Sequence, residues 1–246
     1  MPLISILITT DEFRGQALPD RIEENISSLK ACYADQEHIF FDGNMCRAFI
    51  EDHFGGEVRS AFDSLKPFAY KCDLARYCII HQLGGIYADL SIYFFSRWLP
   101  PHSAQVFPDH RLFVFRDFPH STWCAYNGAF YAPKGHKALA KAIELVCANV
   151  RTRAYGANSL CPTGPELFGK AIALTCDAGE TVTGESLMLE LPSHLRHIAD
   201  ARSHCLVSGR SIVAVKRKGL TQTMKEVGVS GANEYFGMWT AKDIYV

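Results

Sequence analysis

The chain has 246 residues, with 25 Lys and Arg against 26 Asp and Glu and a formal charge of -1, so it lacks the cationic field that a nucleic-acid binder carries. Its length suffices for one large α/β core, and a 48% hydrophobic content marks neither disorder, collagen nor a coiled coil. The nine cysteines form an odd set without a CxxC pair, which argues against a disulfide framework or a zinc cage and for reduced core residues.

The apolar run Met1 to Ile8 lacks a basic leader and a small-residue cleavage site, and reads as a first buried strand. No other apolar run approaches the ~18 to 20 residues of a membrane span. A cytoplasmic protein is therefore expected, with contact to a membrane-borne acceptor left open. Pro19-Asp20 precedes a helical pattern on Ile22, Ile26 and Leu29, and Glu37 to Asp42 resembles a second strand, which together make a βαβ start. Two short helices are expected from Asn44 to Phe54 and from Glu57 to Leu65, then a third that begins near Pro67 and stops at Gly84.

A strand through Tyr87-Ala88-Asp89-Leu90-Ser91 follows. Further strands are read at Arg111 to Arg116 and Asn127 to Ala132, with a helical stripe on Ala138, Leu139, Ala142, Ile143 and Val146. Thr163-Gly164-Pro165-Glu166 matches a capping box that opens a helix through Ala173. Ser211 to Val215 is read as a late strand, and an aromatic, glycine-containing tail runs from Gly228 to Val246. With no internal repeat and no linker, residues 1–246 are read as a single domain of α/β class, a mixed central sheet flanked by helices.

The chemistry concentrates between Pro67 and Ser91. Asp73 and Arg76 stand three apart on a helix, so carboxylate and guanidinium can address one small polar object. On a strand, Tyr87, Asp89 and Ser91 share the face opposite Ile86, Ala88, Leu90 and Ile92, which predicts a polar side toward a cleft. Each piece also has a plainer reading: an exposed i,i+3 ion pair, a turn aspartate, a helix cap at Thr163, a packed indole at Trp239. The ten histidines show no HxxxH or HExxH spacing, and none is assigned to metal.

Taken together, Ala69-Tyr70-Lys71-Cys72-Asp73-Leu74-Ala75-Arg76-Tyr77 and Leu83-Gly84-Gly85-Ile86-Tyr87-Ala88-Asp89 resemble the sugar-binding region of family 32 glycosyltransferases. That family includes yeast-type initiating mannosyltransferases and is related to the clostridial glucosylating toxins. The resemblance continues through Asn127 to His136 and Thr163 to Glu166. It implies a GT-A fold, a nucleoside-diphosphate sugar donor, a glycan or glycoconjugate acceptor, a divalent cation (Mn²⁺ or Mg²⁺) and a retaining hexosyl transfer in polysaccharide biosynthesis.

Carried over by position, the resemblance makes Asp73, Arg76 and Asp89 the catalytic set. Asp73, Arg76, Tyr87, Asp89, Asn127, Thr163, Gly164 and Trp239 become donor-binding residues. The metal would fall to Asp89, Ser91 and either Asn233 or Glu234. Ser91 stands where the family usually has the second acid of its DxD motif, which weakens the expected metal site. The basic run Lys216-Arg217-Lys218 could compensate at the leaving diphosphate, or be a solvated turn. The replaced acid also keeps a second reading open, a nucleotide-sugar or carbohydrate binder impaired in turnover. A nucleotidyltransferase ranks below both, because no glycine-rich phosphate loop follows the first strand.

Overall fold

The computed structural model describes residues 1–9, 17–99, 111–117, 123–177, 179–217 and 234–246. The chain opens as read: β1 (Leu3–Leu7), α1 (Asp20–Cys32), β2 (His38–Asp42) and α2 (Gly43–Ser64). Asp42 caps α2 by accepting from the Met45 amide at 2.8 Å. Within α2 the helix breaks at Gly55, whose φ of 74° is left-handed, so the two expected short helices are the two halves of one kinked element.

Next come α3 (Phe68–Leu83), β3 (Gly85–Ala88), β4 (Ile92–Phe94), β5 (Leu112–Arg116), β6 (Ala125–Ala132), α4 (Lys137–Thr152) and α5 (Pro165–Thr175). Among the described residues β7 (Thr181–Glu190), a 3-10 turn at Ser193–Leu195, β8 (Arg202–Ser208), β9 (Ser211–Lys216) and α6 (Tyr235–Thr240) complete the order. The strands make one mixed sheet in the order β2-β1-β3-β6-β5-β7-β8-β9-β4. β1 pairs in parallel with β2 and β3, whereas β6 runs antiparallel to both β3 and β5. The α/β class with a mixed sheet flanked by helices is thus the observed one.

Two apolar layers sandwich the sheet. On one side α2 to α5 pack through Ile50, Leu74, Tyr77, Ile80, Leu139 and Phe168; on the other, Leu29 and Tyr33 of the α1 segment meet Trp98, Phe113 and Phe115. β3 lies between these layers, and this corrects the expectation for its polar face. The period-two split is real, with Ile86 and Ala88 in one layer and Tyr87 in the other, but helices cover both sides. Pairing ends at Ala88, Ser91 falls in a turn, and β4 leaves for the far edge of the sheet beside β9.

The turn into β3 needs its glycines. Gly84 and Gly85 have φ of 69° and 117°, and a methyl group on them would lie 2.7 Å from the Lys134 amide nitrogen and 2.4 Å from the Pro2 carbonyl oxygen. The strand is thereby set against the chain on both sides. Asp89, next after its last residue, emerges at the carboxyl end of a strand parallel to β1, where open α/β sheets bind ligands.

Candidate active site at the carboxyl end of β3

Helix α3 carries Asp73 and Arg76 to the same point. The Arg76 guanidinium lies 3.3 Å from Asp73 Oδ1 and 3.1 Å from Asp89 Oδ1, donates to the Asn127 carbonyl at 2.8 Å, and covers the Tyr87 ring at 4.4 Å. Asp73 is satisfied on both oxygens, since Asn127 Nδ2 donates to Oδ1 at 2.8 Å and Thr163 Oγ1 to Oδ2 at 2.7 Å. The Tyr87 hydroxyl donates to Asp89 Oδ1 at 2.7 Å. Four of the expected residues are therefore tied through one buried cation.

Burial raises the Asp73 carboxyl, against the pull of Arg76, Thr163 and Asn127. Burial also opposes charge on Arg76, but Asp89, Tyr87 and Asp73 outweigh it and hold the guanidinium protonated.

A cavity of about 260 Å³ opens over this network, and Asp73, Arg76, Asp89, Asn127 and Gly164 line it. Thr163 and Tyr87 stand one layer behind. Thr163 supports Asp73 instead of capping α5; the N-cap is Gly164, with no side-chain cap, so the capping-box reading is corrected. The reason is position: with Pro165 opening the helix the N-cap falls on Gly164, one residue past Thr163, whose hydroxyl is left to donate to the buried carboxylate.

The opposite wall comes from residues the motifs did not indicate, Asp117, Tyr126 and His204, together with Lys216. Asp117 and Ser186 are buried, Ser186 Oγ donates to Asp117 Oδ1 at 3.4 Å and also meets His204 Nε2, and the His204 ring sits edge-on to Tyr126 at 5.5 Å. Lys216 reaches the cavity, whereas Arg217 is a buried tie to Glu24 at 2.7 Å and to Asn25. Lys218 and Asn233 lie outside the described residues.

The other expected residues stand away from the lining. Ser91, in the turn, accepts from the Arg217 amide through its carbonyl at 2.9 Å. Glu234 precedes α6. Trp239 donates its indole N–H to the Tyr155 carbonyl at 2.8 Å, and it is Tyr235 of the same helix that lines the cavity. No group of three His, Cys, Asp or Glu able to hold a metal occurs among the described residues. What the cavity offers is Asp89 Oδ2, which makes no hydrogen bond to another described residue. That fits a Mg²⁺-type ion held by one carboxylate and substrate phosphates, and does not fit an all-protein cage.

Residues 19–103 match the family model described as the glycosyltransferase sugar-binding region containing a DXD motif. The match covers about a third of the chain, and that stretch is similar to a glycosyltransferase sugar-binding region. Over 53 residues the chain is 38% identical to an uncharacterized glycosyltransferase of Acanthamoeba polyphaga mimivirus, a match that spans 22% of this chain and 21% of that relative. The fold resembles that of the ligand-free glycosyltransferase domain from the YGT toxin, with a TM-score of 0.53, 8% identity, and 74% of this chain and 79% of the other covered. The PaToxG glycosyltransferase is similar at a TM-score of 0.47 and 17% identity over 70% of this chain and 68% of its own. The GT-A type expected from the resemblance agrees with the fold of the YGT toxin domain.

Proposed function

We propose that the chain is a glycosyltransferase that moves a hexose-type sugar from a nucleoside diphosphate to a hydroxyl of a glycan or glycoconjugate, with retention, in polysaccharide synthesis. The observation that carries this reading is the meeting of Asp73, Arg76, Asp89 and Asn127 on one wall of one cavity, within the stretch that matches the sugar-binding region. Arg76 and Asn127 hold the Asp73 carboxylate rigid, and Arg76 aims Asp89. Preformed polar groups of this kind orient a substrate without reorganising when it binds.

Retention is supported by the family resemblance. In the front-face route the acceptor oxygen bonds to the anomeric carbon as the carbon–phosphate oxygen bond breaks, and the departing diphosphate takes the acceptor proton. That route asks the chain for positioning and charge stabilisation and for no nucleophile of its own. A divalent ion, when bound, would be held by Asp89 Oδ2 and would neutralise diphosphate charge. No described helix is long and apolar enough to cross a membrane. We place the enzyme in the cytoplasm, with membrane contact through its acceptor.

The test is a thermal-shift and hydrolysis screen of UDP-, GDP- and CMP-linked sugars with and without Mn²⁺, since a ligand that prefers the folded state raises its melting point. A stabilising nucleotide sugar that is also turned over, with loss of turnover in Asp89→Ala, is the expected result. Binding without release of nucleoside diphosphate would instead establish the impaired binder, and neither binding nor release would end the proposal.

A further inference from the structure

Tyr126 presents a buried polar atom with nothing to bond. The residue is 6% exposed, and its hydroxyl has no hydrogen-bond partner among the described residues although it borders the cavity. Leaving such a group unpaired in a native interior costs stability, so its retention calls for a partner from outside the chain. Gly128 brings a second polar atom beside this hydroxyl. A methyl group on Gly128 would lie 2.8 Å from the Tyr126 hydroxyl and 2.6 Å from Asp89 Oδ2, so both oxygens pack against the bare glycine and stand within about 5.4 Å of each other, close enough for one atom to bridge them.

The two oxygens make opposite demands. Burial, then the charges of Asp89 and Asp117, keep the Tyr126 phenol protonated, hence a donor, while the Asp89 carboxylate is an acceptor. A group that serves both must accept and donate through one atom. A phosphate oxygen accepts from the phenol but has no proton for the Asp89 carboxylate, beside which it can sit only through a cation, and a bare cation cannot accept the phenol proton. A sugar hydroxyl does both, as does the water it would displace. Resting on the transferase reading above, we propose that Tyr126 and Asp89 form a clamp for one pyranose hydroxyl, which makes Tyr126 a specificity-determining residue of this cavity. The hydroxyl belongs either to the transferred sugar or to a saccharide acceptor.

The test compares the full chain with Tyr126→Phe. Removing a hydroxyl that is unpaired in the free protein leaves the melting temperature unchanged or raises it, whereas a hydroxyl with a structural bond would lower it. Binding of the nucleotide-sugar panel, of the corresponding bare nucleoside diphosphates, and of methyl glucosides, galactosides and mannosides is then followed by calorimetry and saturation-transfer NMR. The variant should bind its sugar-bearing ligand about tenfold more weakly, as the loss of one good hydrogen bond implies. Weakening confined to nucleotide sugars assigns the hydroxyl to the donor, and weakening of a methyl glycoside assigns it to the acceptor.

The clamp is overturned if no sugar-bearing ligand weakens, if the bare nucleoside diphosphate weakens equally, or if the variant melts lower. A wild-type protein that binds glycosides through Tyr126 but no nucleotide sugar would keep the clamp and remove the transferase reading. Binding of neither removes both.

Discussion

Arg76→Ala should be the most damaging single change in the site, and its cost can be worked from the contacts. The substitution removes the ion pairs to Asp73 at 3.3 Å and Asp89 at 3.1 Å, the hydrogen bond to the Asn127 carbonyl and the stacking on Tyr87. Breaking a buried pair by deleting one partner costs about 3–5 kcal/mol, chiefly because the other charge is left behind. Here that charge is Asp73, with a side chain 11% exposed, while Asp89 at 29% is eased by solvent and adds less. For a chain of this size about 1 kcal/mol moves the melting temperature by about 2–4 °C, so a fall of about 6–20 °C is expected. Circular-dichroism melts of Arg76→Ala, Asp73→Asn and the double variant would check this. Neutralising Asp73 removes the stranded charge, so the double variant should lose about 1–3 kcal/mol less than the sum of the singles. Arg76→Lys keeps the charge, loses the fork and should fall in between. A melting point for Arg76→Ala within about 2 °C of wild type, or strictly additive losses, would refute the buried network, because neither is compatible with a charge stranded in an apolar layer.

Three other changes probe the surroundings. In Gly128→Ala the new methyl displaces two side-chain ends and no backbone, so stability should fall by about 1–2 kcal/mol while nucleotide-sugar affinity drops about tenfold or more; calorimetry that finds affinity intact would place the ligand elsewhere. Ser91→Asp, which writes the usual second acid back into the motif, should leave Mn²⁺ affinity within about twofold, since position 91 sits in the turn outside the cavity lining; a tenfold gain by isothermal titration would contradict that placement. His136 caps α4 by accepting from the Ala138 amide at 3.2 Å, and burial lowers its pKa below the ordinary 6.5, as burial also does for His38 and His81. The unfolded chain then binds protons that the native one does not, so stability is full above pH 6.5 and declines as the pH falls below it. His136→Asn keeps a cap that cannot titrate, and should lessen the loss of melting temperature as the pH falls below about 6.5, with His38 and His81 contributing the remainder.

Local signals were sufficient where a single residue decides a local outcome. Gly84 ends α3 with a left-handed φ, Gly55 breaks α2 between the two expected helices, and Ile22 and Leu29 mark the buried side of α1. β7 and β8 went unread although each is paired on both sides within the sheet, because their sequences mix polar and apolar residues without a clean period. β7 mixes Glu185, Ser186 and Glu190 with Leu187, Met188 and Leu189, and its half-exposed pattern breaks the alternation that marks a strand. The reading of the Tyr87 face failed for a tertiary reason. Period two correctly divides Tyr87 from Ile86 and Ala88, but no periodicity reports that α3 covers one side and the α1 segment the other.

The candidate site divides along the same line. Asp73, Arg76 and Asp89 come from α3 and the end of β3, adjacent in sequence, so a motif can hold them. Asp117, Tyr126, His204 and Lys216 come from strands spread over a hundred residues and meet because β5 lies between β6 and β7, with β8 and β9 beyond. Their residue types carry no signal alone, since a lone buried Asp or His is more often a satisfied structural group. The Tyr126 hydroxyl became informative because its neighbours leave it unbonded, and an unmet hydrogen bond is a property of an assembled interior. A motif therefore reveals the half of such a cavity built from contiguous chain. The other half is assembled by the sheet from distant strands, and Tyr126 stands out in it through the hydrogen bond that its hydroxyl lacks among the described residues.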